Sequence, residues 1–131
     1  MRLVLCNGVF DLPHTGHLGH LKEARTFGDS LIVALTLDEF VGKPGRPVMR
    51  WEERAALLME WRCVDDVIAA KNSVNAIYAC KPSVFVKGSD YVEKGLLQAE
   101  IEACEDVGAQ IRFTKPHSPT TTELIERIKC A

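Results

Sequence analysis

Residues 3–26 read LVLCNGVFDLPHTGHLGHLKEART, and this stretch decides the fold. The short apolar run Leu3–Leu5 ends at Asn7-Gly8, which is typical of a strand followed by a turn. From Thr15 to Thr26 the apolar residues return at helical spacing, and Gly28 then ends the helix. The stretch therefore predicts a strand, a polar loop and a helix.

The same alternation continues to the end of the chain. Further strands are predicted at residues 30–37, 64–69, 83–87 and 110–114. Further helices are predicted at residues 51–61, 74–80, 96–107 and 123–129. Strands that alternate with helices predict an α/β fold with a five-stranded, mainly parallel sheet, and no linker or repeat divides residues 1–131, so we expect a single domain.

Composition and charge exclude several classes of protein. Sixteen Lys and Arg against eighteen Asp and Glu give a net charge of −2, so there is no basic excess for a nucleic-acid partner. The longest apolar runs, residues 31–35 and 84–86, are too short to span a bilayer. The first residues lack the apolar region of a signal peptide, so we expect a cytoplasmic protein with no membrane partner.

Cysteine usage gives no disulfide framework and no zinc site. The five cysteines are scattered and form no CxxC pair, and we expect mostly buried, reduced thiols. They are Cys6, Cys63, Cys80, Cys104 and Cys130.

In parallel sheets ligands bind outside the carboxyl ends of the strands. The segments that follow the first, second, fourth and fifth predicted strands are also the most polar and the richest in Gly and Pro. We expect the functional residues at 7–17, 38–46, 87–95 and 115–122.

The first of these segments holds two histidines at the start of a helix. His14 and His17 are three residues apart and project to the same side, whereas His20 lies about 120° around the helix from His14 and is expected to leave the site. A helix N-terminus binds anions, and imidazoles there can donate to phosphate oxygens. Gly16 allows the backbone to approach a ligand closely.

Other interpretations of this segment are weaker. A zinc site lacks further ligands at the right spacing, and Asp11 could bind a metal but more often such a carboxylate organises the turn. Neither a Walker-type loop nor a GxSxG elbow is present. The remaining interpretation is a phosphate site without a covalent nucleophile.

Gly8-Val9-Phe10-Asp11 followed by His14-Thr15-Gly16-His17 resembles the nucleotidyltransferase superfamily with the HxGH signature. Residues 62–67 (RCVDDV) are similar to the Arg-Tyr-Val-Asp segment of its cytidylyltransferases. Residues 115–122 (KPHSPTTT) occupy the position of their Arg-Thr-x-Gly-Ile-Ser-Thr-Thr loop. Residues 45–48 (GRPV) and 81–91 (KPSVFVKGSDY) resemble the heptose-1-phosphate adenylyltransferases.

The resemblance implies a Rossmann-like three-layer sandwich that transfers a nucleoside monophosphate to a sugar phosphate and releases pyrophosphate. ATP is the favoured nucleotide, with an acceptor such as D-glycero-D-manno-heptose 1-phosphate. The alternative is a glycerol-3-phosphate-type cytidylyltransferase that uses CTP and a polyol phosphate. Mg²⁺ is expected on the triphosphate rather than in a protein cage, and the family implies a homodimer or higher homo-oligomer.

The resemblance also implies roles for individual residues. It assigns catalysis to His14, His17, Lys43 and Thr121. It assigns nucleotide binding to Gly8, Val9, Phe10, Asp11, His14, Gly16, His17, Lys87, Gly88, Asp90, Lys115, Thr120, Thr121 and Thr122. It assigns acceptor binding to Asp11, Lys43, Arg46 and Tyr91.

Structural alternatives stay open for several of these residues. Lys43 and Arg46 could belong to a solvated loop, and Thr120–Thr122 could only cap the last helix. Arg54 could bind phosphate or form a surface ion pair. His117 is expected in a loop within reach of the nucleotide. A nucleotide-binding module without turnover is the alternative of another class, and it would predict damaged phosphate-binding residues.

Overall fold

The structure is a computed structural model that describes residues 1–131. Five strands form one sheet: β1 (Leu3–Gly8), β2 (Ser30–Thr36), β3 (Asp66–Ala70), β4 (Val84–Lys87) and β5 (Gln110–Phe113). Six helices connect or follow them: α1 (Thr15–Arg25), α2 (Trp51–Met59), α3 (Ser73–Cys80), α4 (Tyr91–Lys94), α5 (Gln98–Val107) and α6 (Thr121–Lys129).

All strand pairs are parallel, and the strand order is β3-β2-β1-β4-β5. The predicted five-stranded parallel sheet is therefore confirmed. The chain moves outward from β1 to β2 and β3, and then crosses to β4 on the other side of β1. Such a switch in direction opens a crevice at the carboxyl end of the central strand, where ligands bind in sheets of this kind.

The central strands are buried on both sides, and each face of the sheet carries its own apolar cluster. In β1, Val4 and Cys6 pack in one cluster with Leu21 of α1 and Leu58 of α2. Leu5, which lies between them, packs in the other cluster. That second cluster holds Ala76 and Ile77 of α3 and Ala103 and Cys104 of α5. Helices on both faces confirm the three-layer sandwich.

Most predicted helix and strand boundaries differ from the structure by one or two residues. The strand predicted at residues 64–69 begins in the structure at Asp66, as β3. Before it, the Leu31 amide donates to the Asp65 side chain at 2.7 Å rather than to a backbone carbonyl, so the regular strand pairing starts one residue later. The helix predicted from residue 96 begins at Gln98, and α4 before it was not predicted because it has only four residues.

Only Cys6 and Cys104 are buried among the five free cysteines, fewer than expected. No helix has both the length and the apolar composition that crossing a bilayer requires.

Candidate active site

A cavity of about 500 Å³ lies at the carboxyl end of β1, and we call it the first cavity. Its walls come from residues 7–10, from the first two turns of α1, from residues 88–91 and from residues 114–121. Three of the four segments that were predicted to hold the functional residues meet here. The segment at 38–46 lines neighbouring cavities instead.

His14 joins the beginnings of α1 and α6. Its Nδ1 accepts hydrogen bonds from the amides of Gly16 at 3.0 Å and His17 at 3.3 Å, so it caps α1. A ring nitrogen that accepts these bonds carries no proton, and the proton of the neutral ring therefore lies on Nε2. From there it donates to Thr121 Oγ1 at 3.1 Å. Thr121 in turn donates to the Asp11 carbonyl oxygen at 3.3 Å.

His17 is stacked on His14, with ring centroids 3.7 Å apart, and Phe10 packs edge-on against its other side. Burial, with smaller contributions from His14 and His20, lowers the pKa of His17 to about 3. Burial also lowers the pKa of His14. Nδ1 of His17 is buried and has no hydrogen-bond partner. An unpaired buried nitrogen costs stability, and such groups are typical of functional sites.

The beginning of α6 lies beside His14 and forms part of the cavity wall. Thr120 caps this helix by accepting the Glu123 amide at 3.1 Å, as the capping interpretation expected. Thr120 and Thr121 line the first cavity, whereas Thr122 does not. The first-turn amides of a helix attract anions, so capping and anion binding are compatible here.

His20 does not leave the site, and that prediction was wrong. Its ring lines the first cavity, and Nδ1 lies 2.7 Å from Thr114 Oγ1. His20 does lie on a different side of α1 from His14, but residues 114–121 pack over that side of the helix and extend the cavity along it. His117 in this segment also lines the cavity and bonds to Glu23 at 3.0 Å.

Asp11 supports the site from beneath and does not line the first cavity. Its carboxylate is 1% exposed and accepts from Arg46 Nε at 2.7 Å and from the amides of Val48 at 2.8 Å and Met49 at 3.0 Å. Burial acts to raise its pKa, but these hydrogen bonds and the Arg46 charge hold the pKa below its usual value. Asp11 thus organises the loop, as its alternative interpretation expected.

Arg54 is neither a phosphate ligand nor part of a surface ion pair. The side chain is fully buried and donates to the carbonyl oxygens of Val9 at 2.7 Å, Thr36 at 3.0 Å and Met49 at 3.0 Å. It also pairs with Asp38. The guanidinium therefore ties the ends of β1 and β2 to the loop before α2.

Lys87, at the end of β4, is paired rather than free. Its ammonium lies 3.1 Å from the Glu100 carboxylate and 4.0 Å from the ring centre of Tyr91. Burial acts to raise the pKa of Glu100, but hydrogen bonds from Ser73 and Lys87 and the Lys87 charge lower it. Gly88, Asp90 and Lys115 line the first cavity, whereas Lys87 does not.

A second cavity of about 560 Å³ adjoins the first, and Asn7, Val9 and Tyr91 line both. Lys43 and Lys71 contribute to its wall. Sequence reasoning missed the segment at 71–73, which also lines it, although it follows β3 at the same edge of the sheet. Arg46 lies apart from both, beside Ile125 and Ile128 of α6.

Nearly the whole chain, including the residues around the first cavity, matches a known protein family. The model of the family described as cytidylyltransferase-like matches residues 5–127. The chain belongs to the cytidylyltransferase-like family. The resemblance predicted from the HxGH segment is thereby confirmed, and with it the prediction of a nucleotidyltransferase-type enzyme.

Individual relatives agree with the family. This cytidylyltransferase-like chain is 35% identical over 133 residues to the bifunctional protein HldE of Geobacter sulfurreducens, an alignment that covers 97% of the chain and 27% of that protein. The chain thus spans about a quarter of the length of this relative.

Two solved structures share the fold. A lipopolysaccharide core biosynthesis protein from Thermoplasma volcanium is 27% identical with a TM-score of 0.72, over 92% of this chain and 99% of that one. TmcAL from Thermotoga maritima, bound with alpha-thio ATP, has a TM-score of 0.74 over 98% of this chain and 50% of that one. At 14% identity the second likeness concerns the fold alone.

Proposed function

We propose that this chain transfers a nucleoside monophosphate, with AMP favoured, from a nucleoside triphosphate to a sugar phosphate such as D-glycero-D-manno-heptose 1-phosphate. An acceptor phosphate oxygen attacks the α-phosphorus, the bond to the bridging oxygen breaks, and pyrophosphate leaves with the electron pair. The observation that carries this proposal is the contact between the two cavities at Asn7, Val9 and Tyr91. Triphosphate in one and acceptor in the other would meet at this shared wall.

The residues of the first cavity suit a triphosphate. His17 would donate a hydrogen bond to the α-phosphate and to the charge that develops in the transition state, and His14 would do so by exchanging Thr121 for a phosphate oxygen at Nε2. Thr120 and Thr121 would hold the β- and γ-phosphates with hydroxyl and amide groups at the start of α6, and Thr122, which does not line the cavity, would contribute only through its place in the first turn of the helix. For the nucleotide we keep the further contacts implied by the resemblance that line this cavity: Gly8, Val9, Phe10, Gly16, Gly88, Asp90 and Lys115. Lys87, which the resemblance also assigns to the nucleotide, lines the second cavity instead.

The second cavity suits the acceptor. Lys43 and Lys71 bring two ammonium groups to its wall, and Tyr91 closes the side next to the first cavity. Arg46 would act through Asp11, because their ion pair holds the loop that carries Lys43. Transfer of this type depends mainly on positioning and charge stabilisation, so the held loop would contribute to the rate.

Magnesium is the cofactor that we propose. The described side chains form no group of three or more potential metal ligands. The oxygens of Asp11, the carboxylate nearest in sequence to the histidines, are already used by three donors. A triphosphate in the first cavity would carry the ion on its own oxygens, and Mg²⁺ would there neutralise charge on the phosphates. We also keep a homodimer or higher homo-oligomer, in the cytoplasm, as predictions.

A cytidylyltransferase that uses CTP and a polyol phosphate is the second candidate. The description of the family and the segment at 64–67 favour it, whereas HldE and the segments at 45–48 and 81–91 favour the first.

Pyrophosphate release distinguishes the two candidates. Each nucleoside triphosphate is incubated with Mg²⁺ and a panel of heptose, hexose, glycerol and other polyol phosphates, with His17→Ala protein as the matched control. Release with ATP and a sugar 1-phosphate supports the first candidate, and release with CTP and a polyol phosphate supports the second. No release above the control with any pair would contradict both.

A further inference from the structure

We propose that His20 is a nucleoside-binding residue whose Nε2 forms a hydrogen bond with the ribose or the base, and not with the phosphates. The proposal rests on the proposed function, because it requires a nucleoside triphosphate in the first cavity. His20 follows the HxGH segment, and the structure turns it into the cavity.

One nitrogen of the His20 ring is held by the protein, and the other has no protein partner. Nδ1 is 2.7 Å from the hydroxyl of Thr114, a residue that is 3% exposed. The Thr114 amide donates to the Lys87 carbonyl oxygen at 3.0 Å, so the threonine is itself held at the end of the sheet. Nε2 has no protein partner, and the only buried ring nitrogen without one is Nδ1 of His17. Nε2 of His20 is therefore accessible from the cavity.

The position along α1 separates His20 from the phosphate end. Six residues of helix place His20 about 9 Å along the axis from His14, at 1.5 Å per residue. His14 contacts Thr121 at the start of α6, whereas His20 contacts Thr114 at the end of β5. A polyphosphate held at the start of α6 would extend its nucleoside along α1 toward His20.

The charges around His20 favour a neutral polar group. Burial, together with His117, lowers the pKa of His20 to about 4, so the ring is neutral at physiological pH. The carboxylates of Glu23 and Asp90 act on the ring as well, and the nearby Lys87 is paired with Glu100. A neutral ring near two carboxylates is a poor ligand for phosphate and a good one for a hydroxyl or a base nitrogen.

Binding of nucleotide and of inorganic tripolyphosphate tests the proposal. The side-chain amide of Asn reaches the position of Nδ1 but not that of Nε2. The longer Gln brings its amide to the position of Nε2. We expect His20→Asn to weaken ATP or CTP binding about 10-fold, as for one lost hydrogen bond, and to leave tripolyphosphate binding unchanged. His20→Gln should recover part of the nucleotide affinity. Thr121→Val, at the phosphate end, should weaken both ligands.

The outcomes separate this inference from the proposed function. Equal losses for nucleotide and tripolyphosphate in a folded His20→Asn protein, or unchanged nucleotide binding, would overturn the inference and leave the proposed function standing. A wild-type protein that binds neither ATP nor CTP would overturn both. Thermal unfolding of each variant shows whether a loss comes from the fold, and His20→Gln supplies the second test if His20→Asn does not fold.

Discussion

Gly16 lies so close to Pro119 that a Cβ on Gly16 would come within 2.0 Å of the Pro119 carbonyl oxygen. The contact joins the first turn of α1 to the segment at 114–121, which leads into α6. It brings the beginnings of the two helices together, and the His14–Thr121 hydrogen bond spans them. The geometry of the candidate phosphate site thus depends on a position without a side chain.

Gly16→Ala should destabilise the protein and reduce transfer. Alanine in a helix normally stabilises it relative to glycine by about 0.5–1 kcal/mol. Here we expect the opposite sign, a loss of about 1–3 kcal/mol in the free energy of unfolding, because backbone must move. Gly42→Ala is the control, since a Cβ there would meet nothing within 4 Å. Urea denaturation of both variants measures the difference, and an equal effect would contradict the argument.

The parts of the site that could be predicted from the sequence are local ones. The alternation of strands and helices gives the parallel sheet, and the rule for strand ends then gives the segments that line the first cavity. His14 and His17 lie together because three residues of helix separate them. Thr120 and Thr121 lie at a helix start that their own side chains and Glu123 indicate.

The parts that could not be predicted depend on contacts between distant segments. His20 lines the cavity only because Thr114, 94 residues away, folds over α1. Arg54 is buried because carbonyl groups from three separate segments converge on it, which no spacing in the sequence encodes. Lys71 follows β3, an edge strand of the sheet, and reaches the second cavity through the fold.

His17→Ala should reduce turnover by about 100-fold or more, since it removes a donor to the transition state. The fold should remain, because the ring loses only an unpaired Nδ1 and one long contact, 3.5 Å between Nε2 and Thr121 Oγ1. Steady-state kinetics with circular dichroism checks both parts. Lys129→Ala, at the exposed end of α6, is the control and should leave turnover unchanged. A folded His17→Ala protein with near-normal turnover would refute the assignment.

Stability should fall as the pH is lowered from 7 to 5. The pKa values of His17 and His20 are lowered to about 3 and about 4, mainly by burial, against 6.5 for an ordinary histidine. In this window the unfolded chain therefore binds protons that the folded protein does not, and the free energy of unfolding rises with pH. Each ring contributes about 2 kcal/mol between pH 5 and 7. Urea denaturation at each pH should show a flatter profile for His17→Gln/His20→Gln protein, and an equally steep one would contradict the origin proposed here.

Asp11→Asn should weaken the fold and the acceptor site together. The amide group would put a donor where the carboxylate accepts from Arg46, Val48 and Met49, and we expect a loss of about 2–4 kcal/mol in the free energy of unfolding. Because the released loop carries Lys43, the KM for the acceptor should rise more than the KM for the nucleotide. Arg50→Gln removes an exposed ion pair with Glu53 and should leave stability almost unchanged. Equal increases in the two KM values would show that Asp11 supports the whole cavity rather than the acceptor loop.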